Sequence, residues 1–476
     1  MADRRALAQG GVRAIGGVIG IGIAVAVIAG ATLIPLSGFA IGVPSKTVHP
    51  VPADQQRVCP GPVLALATDA GEASRASAIG SFSAVYGTDG SGTQTRNLKP
   101  DASTEGPDQA PLALTAATPS GATRPPLFAG AQVQNAASPD LTGLAAASCA
   151  EASADSWLVA GATTLGQTSL VLLSNPTTVD ATVNLDIFTE TGRVVAPGAT
   201  GIVVPAGAQK VVPLAGLAPS ATAPVVHVTT TGGTVVATMQ QSFEQGIDPR
   251  GVELAGATAA PSRVQTIAGV TIASLAAITA AQSAESVGVE FPTLRLFVPG
   301  TQDAQITIGA VGETGTAAGN SLAQTVKAGN VAEIPLDHLK DGNFTVTVRS
   351  NVPVVAAVRT SVIGTKTRDF AWFVSSPPIT DSQLVAVPPG PSPRLHFANG
   401  GEKDVKVKIQ GTSGAPIALT VPAEGGAGAA VPTGRYTVTG GDGLVVGVSF
   451  AADGQTSSFA VSPAGPLAAP IEVYPN

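Results

Sequence analysis

Few residues of this chain could do acid–base or nucleophilic chemistry. There are four histidines, two cysteines and 32 acidic residues among 476. Histidine is the commonest general base, yet each of the four has an ordinary structural reading. His49 lies in a proline-containing stretch, His227 takes the outward position of a strand, His338 falls in a PLDHL turn, and His396 sits in a strand beside Phe397. The sequence has no H-E-x-x-H zinc helix, no G-x-S-x-G elbow, no S-x-x-K, no complete G-x-G-x-x-G and no Walker A loop. It has no EF-hand loop either. It therefore assigns no catalytic residue, no metal ligands and no cofactor. Two carboxylates can suffice for glycoside hydrolysis, and Asp186, Glu190, Glu244 and Asp248 are close along the chain. Asp186 alternates outward on a strand and Glu190 sits in a turn, so a solvated β surface accounts for them.

Two segments gather binding chemistry. MQQSFEQGIDPRG (239–251) puts Gln240, Gln241, Phe243, Glu244, Asp248 and Arg250 in one short loop after a hairpin. Amides, acids and one aromatic can hold a sugar or a peptide; an ordinary intermodule loop explains them as well. RTSVIGTKTRDFAWF (359–373) occupies the equivalent place in the next module. It is basic at Arg359, Lys366 and Arg368, and aromatic at Phe370, Trp372 and Phe373. A partner-binding loop is one reading, and a core strand beginning at Trp372 and Phe373 is the other.

These segments are positioned by a repeating β pattern. Val204, Ala206, Gly207, Pro213, Leu214 and Leu217 recur as Val326, Ala328, Gly329, Pro335, Leu336 and Leu339, and a weaker copy starts at Val421. VHVTTTGGTVVATM, VTVRSNVPVVAAV and YTVTGGDGLVVGV each read as strand, turn, strand. In VKVKI, Val405, Val407 and Ile409 can face a core while Lys406 and Lys408 face water. The pattern predicts an all-β fold of tandem Ig-like antiparallel sandwiches at 157–260, 285–375 and 390–476. A disulfide-closed β domain at 59–156 would precede them, with 88–125 as a long polar loop. Strand swapping between modules would blur these limits. Ile267–Gln282 is the best helix candidate outside the N-terminus.

Composition bounds the function. Only 12% of residues are charged, 4% are aromatic, and the net charge is −7 with 25 Lys and Arg. That balance argues against nucleic-acid binding. Few Trp and Tyr argue against aromatic sugar platforms.

The N-terminus sets the compartment. Arg4, Arg5 and Arg13 precede an uncharged run from Ala14 to Leu36. As a helix, this run is long enough to cross a hydrocarbon core of about 30 Å. The preceding arginines predict a cytoplasmic 1–13, an anchor at 14–36, a Pro-containing tether at 37–58 and an extracytoplasmic body. Phe39-Ala40-Ile41 is a poor cleavage site, which favours an uncleaved anchor over a signal peptide. Cys59 and Cys149 have no C-x-x-C partner and no neighbouring histidine. Two cysteines outside the cytoplasm suggest one disulfide, with two buried free thiols as the alternative.

The anchor, the CPGP at Cys59, the LTGLAAASCAEASADSWLVAGAT segment and the LLSNPTTVDATVNLDIFTETG strand pair occur together. This combination resembles a family of actinobacterial membrane-anchored secreted proteins of unknown function. The resemblance implies a cell-envelope setting, with genes near envelope glycosyltransferases, and transfers no catalytic residue. The expected function is a non-enzymatic scaffold or accessory subunit, a rod of sandwiches partnering a membrane protein such as a glycosyltransferase. The alternatives are a carbohydrate- or peptidoglycan-binding module and a carboxylate-dependent glycan hydrolase.

Overall fold

The computed structural model describes residues 46–48, 53–67, 75–90, 92–105, 110–122, 124–285, 291–313, 320–336, 338–380, 382–463 and 471–473. The expected cytoplasmic segment 1–13 and anchor 14–36 lie outside them. Among the described residues no helix is long and apolar enough to cross a membrane. Two compact units divide the chain. In the first, residues 1–50 with 469–476, Lys46–Val48 pairs antiparallel with Ile471–Val473. The second, residues 51–468, holds everything described below.

The second unit is nearly all β, and its strand pairings are antiparallel but for the short pair Ala76–Ala78 with Thr104–Glu105 and one isolated bridge. One pairing scheme occurs three times. In the first copy, Ala181–Thr189 lies between Val225–Gly232 and Ile202–Val204, and Asp155–Leu158 extends that sheet. The facing sheet runs Gln209–Pro213, Gln167–Ser174, Val236–Gln245, Asp248–Gly256. In the second copy, Ala304–Gly312 lies between Asn320–Val326 and the first half of Gly342–Ile363, and Ser262–Ile272 extends it. Its facing sheet runs Val331–Pro335, Thr293–Phe297, the second half of Gly342–Ile363, Arg368–Val374. In the third, Ser382–Val387, Gly434–Thr439, Val405–Gly411 and Ile417–Val421 face Gly426–Ala430, Arg394–Asn399, Leu444–Ala452 and Gln455–Val461. Alternation builds these sheets: Val183, Leu185 and Ile187 are buried while Thr182, Asn184 and Asp186 are not.

The repeat signature has a structural cause. Val204, Val326 and Val421 are buried and enter the same turn. In each copy an aspartate accepts a hydrogen bond from a turn amide: Asp180 from Ala206 (2.8 Å), Asp303 from Ala328 (2.9 Å) and Asp404 from Ala423 (3.0 Å). The next residue needs positive φ. Gly207 (67°) and Gly329 (77°) supply it freely, while the third copy places Glu424 there at 50°.

Two expectations change. Residues 88–125 are not one loop, because they contain Gln94–Asn97, Thr104–Glu105 and Leu112–Ala116. Leu112–Ala116 pairs with Gln55–Cys59 and buries Ala113 and Leu114; its short length and polar flanks hide it from a periodicity search. The helix candidate also splits. Its first part ends the strand Ser262–Ile272, and only Leu275–Glu285 is helical. Sheet pairing with Gly342–Phe344 wins over the local alanine-rich propensity.

The sandwiches do not simply follow one another as a rod. Each ends in a hairpin, and the N-terminal part supplies a fourth, Phe128–Ala137 with Thr142–Ser148. Thr142–Ser148 packs on Asp248–Gly256 and on Gln455–Val461, and Arg368–Val374 packs on the same two. The last strands of four hairpins thus close a ring. Cys59 and Cys149 are disulfide-bonded and fully buried, beside the Val58–Ala150 bridge.

Candidate functional site

The ring encloses two buried carboxylates. Glu253 Oε1 accepts from Ser457 Oγ (2.8 Å) and the Leu254 amide (2.8 Å). Its Oε2 accepts from the Ser458 amide (3.3 Å). Asp369 Oδ2 accepts from the amides of Leu144 (2.8 Å) and Thr456 (3.2 Å), and Oδ1 from Phe370 (3.0 Å). Burial pushes both acids well above the usual carboxylate range, against the pull of these donors. Gly143 and Gly251 leave the space: a Cβ on either would sit 2.8 or 2.6 Å from Asp369 Oδ1. The acids tie all four hairpins together and so act as structural fasteners.

The segment after Cys59 explains other polar residues. Pro60–Leu64 is buried, and glutamine side chains make many of its hydrogen bonds. Gln132 donates to the Gly61 carbonyl (2.7 Å) and accepts from its amide (3.1 Å). Gln240 does the same for Leu64, at 2.6 and 2.8 Å. Gln134 accepts from the Val63 amide (3.0 Å), and Gln209 donates to the Pro60 carbonyl (2.9 Å). A primary amide has the donor–acceptor pair of a peptide group, so these side chains stand in for a neighbouring strand.

The sequence-derived candidates divide accordingly. Residues 239–251 form the strands Val236–Gln245 and Asp248–Gly256, not a loop. Gln240 is engaged with Leu64. Gln241 is buried between Gln167 (2.5 Å) and the Trp372 indole N–H (2.7 Å). Glu244 and Asp248 are exposed near the hairpin turn, and Lys366 is exposed between strands. Arg368 begins the strand Arg368–Val374, in which Phe370, Trp372 and Phe373 are buried. Asp186 pairs with Arg193 on the surface. Glu190 accepts from the amides of Thr222 and Ala223 (3.4 and 3.2 Å). The two flagged segments nevertheless meet. Gln241, Phe243 and Arg250 line a small cleft with Arg359, Ser361 and Asp369. Among the described residues no group of His, Cys, Asp and Glu could hold a metal ion.

Sequence reading missed one constellation. His396 Nδ1 lies 2.8 Å from Glu313 Oε1, and its Nε2 lies 2.7 Å from Ser449 Oγ. Serine, histidine and carboxylate in this order make an activated nucleophile in hydrolases. Here the imidazole is 0% exposed, the Glu313 side chain 1% and Ser449 4%, so a substrate carbonyl has no path to Oγ. The relay joins the second and third sandwiches. Gly269, at φ +72° in a bulge, makes room, since a Cβ there would stand 2.3 Å from His396 Cγ. Glu313 and Ser449 lie far from His396 in sequence, so no local spacing signals them.

Another polar contact across sandwiches is Arg295. It is 1% exposed and donates to the carbonyls of Gly161 (2.7 Å), Pro224 (3.0 Å) and Thr222 (3.2 Å) and to Glu333 (2.7 Å). Its guanidinium also lies 4.6 Å from the Trp372 ring.

The fold and its interior define a disulfide-bonded, multi-sandwich β protein whose polar interior residues largely join its parts. Such a disulfide fits an oxidising, extracytoplasmic space. The chain belongs to a family of unknown function (DUF5719), whose model matches residues 102–434. No curated protein is similar enough to match it. Among solved structures, one described as "Crystal Structure of Thermotoga maritima 1070" aligns at 16% identity over 24% of this chain and 93% of its own, with a TM-score of 0.20.

Proposed function

We propose that this chain is a non-enzymatic protein of an actinobacterial cell envelope. Residues 14–36 anchor it, with the N-terminus inside and the body outside. It serves as a scaffold or accessory subunit to an envelope membrane protein such as a glycosyltransferase. The single observation that supports this reading most is the closure of four hairpins on Glu253 and Asp369. That interlock makes one stiff body and turns the polar residues of the interior toward internal bonds. The small-residue composition suits a high-GC source, and the uncharged N-terminal run suits an anchor.

Cross-linking of the full-length protein in its native membranes, then pull-down and mass spectrometry, tests the reading. A stoichiometric envelope membrane protein is the expected product. Recovery of the chain without any protein partner would overturn it. A fluorophosphonate probe tests the non-enzymatic part, since labelling of Ser449 in the folded protein would show a working nucleophile.

A further inference from the structure

A cleft of about 160 Å³ lies between the second and third sandwiches. Its floor is the outer face of two strands of the second sandwich, Ala304–Gly312 and Gly342–Ile363. Ile306, Ile308 and Ala310 point into the core, which leaves Thr307, Gly309 and Val311 outward. Arg349 stands opposite Thr307 in the register, and Thr347 opposite Gly309. The turn of the third sandwich that carries Glu424 forms a wall.

Two of these residues are costly to the fold, and packing does not explain them. Glu424 holds φ +50° where the other two copies place Gly207 and Gly329. Its carboxylate meets Arg349 at 3.2 Å, but both side chains are exposed and such pairs add little stability. Backbone strain kept without a return in stability is a feature of ligand-binding positions. Gly309 lies inside a strand, where glycine weakens the sheet and often marks a close approach by a ligand. Counted from the paired residues Ala181, Ala304 and Val405, the same place holds Asp186 in the first copy and Gln410 in the third. A Cβ on Gly309 would meet only the Thr347 carbonyl oxygen, at 4.0 Å. No neighbour demands glycine there; its effect is to hollow the floor of the cleft.

The chemistry of the lining selects the ligand. Glu424 beside Arg349 balances the charge, which suits a neutral polar molecule better than an ion. Arg349 reaches Glu424 and the Gly400 carbonyl (3.5 Å) through one nitrogen, and a guanidinium has further donors. A sugar hydroxyl donates and accepts at once, so it can bridge Arg349 and Glu424 without parting them. Thr307 and Thr347 offer hydroxyls of the same dual kind. Val311 offers an apolar contact for the C–H face of a sugar ring. The volume is several times the share of one water, about 30 Å³, and is on the scale of one sugar ring.

We propose that this cleft binds one unit of a neutral glycan, with Glu424 and Arg349 as the orienting pair and Gly309 as the floor. Polar contacts replace the aromatic platform that this chain lacks. The inference does not depend on the scaffold reading.

The test uses the full-length protein in a polyoxyethylene detergent, which carries no sugar. Glucose, galactose, mannose, arabinose and N-acetylglucosamine are titrated singly, with binding read by saturation-transfer NMR. At least one is expected to bind, with millimolar affinity. Glu424→Gly should weaken that binding about tenfold or more, the scale of a lost hydrogen bond to a charged group. The same variant should unfold at an equal or higher temperature, so its loss of binding is not a loss of fold. Gly309→Thr keeps a strand-favouring residue at this position and fills the floor, and should also abolish binding. Arg193→Gln, on the surface of the first sandwich, should leave it unchanged. Glycine serves as a zwitterionic control and should not bind. No binding of any of the five sugars would overturn the proposal. So would sugar binding that survives in both folded cleft variants, or glycine binding more tightly than every sugar.

Discussion

Ser457 Oγ donates to Glu253 Oε1 at 2.8 Å, and these residues lie 204 positions apart. The bond joins the last strand of the third sandwich to the last strand of the first. The Ala146 amide donates to the same Ser457 oxygen at 2.7 Å, which brings in the N-terminal hairpin. One serine therefore links three parts of the molecule.

Stability should fall as pH rises above the ordinary carboxylate range. Burial raises the folded-state affinity of Glu253 and Asp369 for protons above that of the unfolded chain. The unfolded chain releases these protons near pH 4, while the folded protein keeps them to higher pH. Their contribution is complete below pH of about 4 and is lost as pH rises through the folded values. Urea unfolding from pH 5 to 9 should show the midpoint declining, and Glu253→Gln should flatten that decline. An unchanged slope in the variant would reject this origin.

Acid should act oppositely through Asp101. Burial alone would raise this acid, but bonds from Ser103, Val211 and Lys210 outweigh burial and hold it below the usual range. Its contribution is present above pH of about 4 and is lost as pH falls through the lowered folded value. Asp101→Asn should reduce the acid-induced loss of stability, as read by the urea midpoint from pH 5 down to 2.5.

Glu424→Gly should stabilise the protein by about 1 kcal/mol, because a non-glycine residue in the left-handed region costs roughly that much. The substitution removes the Glu424–Arg349 pair (3.2 Å), but both partners are exposed and such pairs contribute little. Differential scanning calorimetry of this variant beside Arg349→Gln separates the two effects.

Arg295→Met should destabilise by about 1.5–3 kcal/mol, the scale of losing charge-assisted hydrogen bonds, because Glu333 is a third exposed and takes up water when the guanidinium is gone. The change leaves the carbonyls of Gly161, Pro224 and Thr222 without this donor. Denaturant unfolding measures it, and a loss under about 1 kcal/mol would mean that water replaces the guanidinium readily.

Reduction of Cys59–Cys149 should cost about 2–5 kcal/mol for a bond that closes a long loop. The comparison is Cys59→Ser with Cys149→Ser against the oxidised protein. A double variant as stable as the parent would show that the Val58–Ala150 bridge and the glutamine clamps hold this region alone.

The sequence by itself determined what depends on local order. Period-two alternation in Val405, Val407 and Ile409 marked strands, and the repeated valine-to-glycine turns marked the units, because pleat and turn geometry act over a few residues. Two cysteines together with an extracytoplasmic reading suggested one disulfide, and the structure decided it against two free thiols. Tertiary structure alone decided what each polar residue does. Gln240 is a strand substitute because Leu64 threads beside it, and Gln241 is held by Trp372. Arg250 and Arg359 share a cleft because two hairpins pack together. Glu313, His396 and Ser449 form a relay because sandwiches from distant stretches of chain meet there. These contacts join residues far apart in sequence and turn on side-chain geometry across a packed interface, where spacing along the chain carries no record of them.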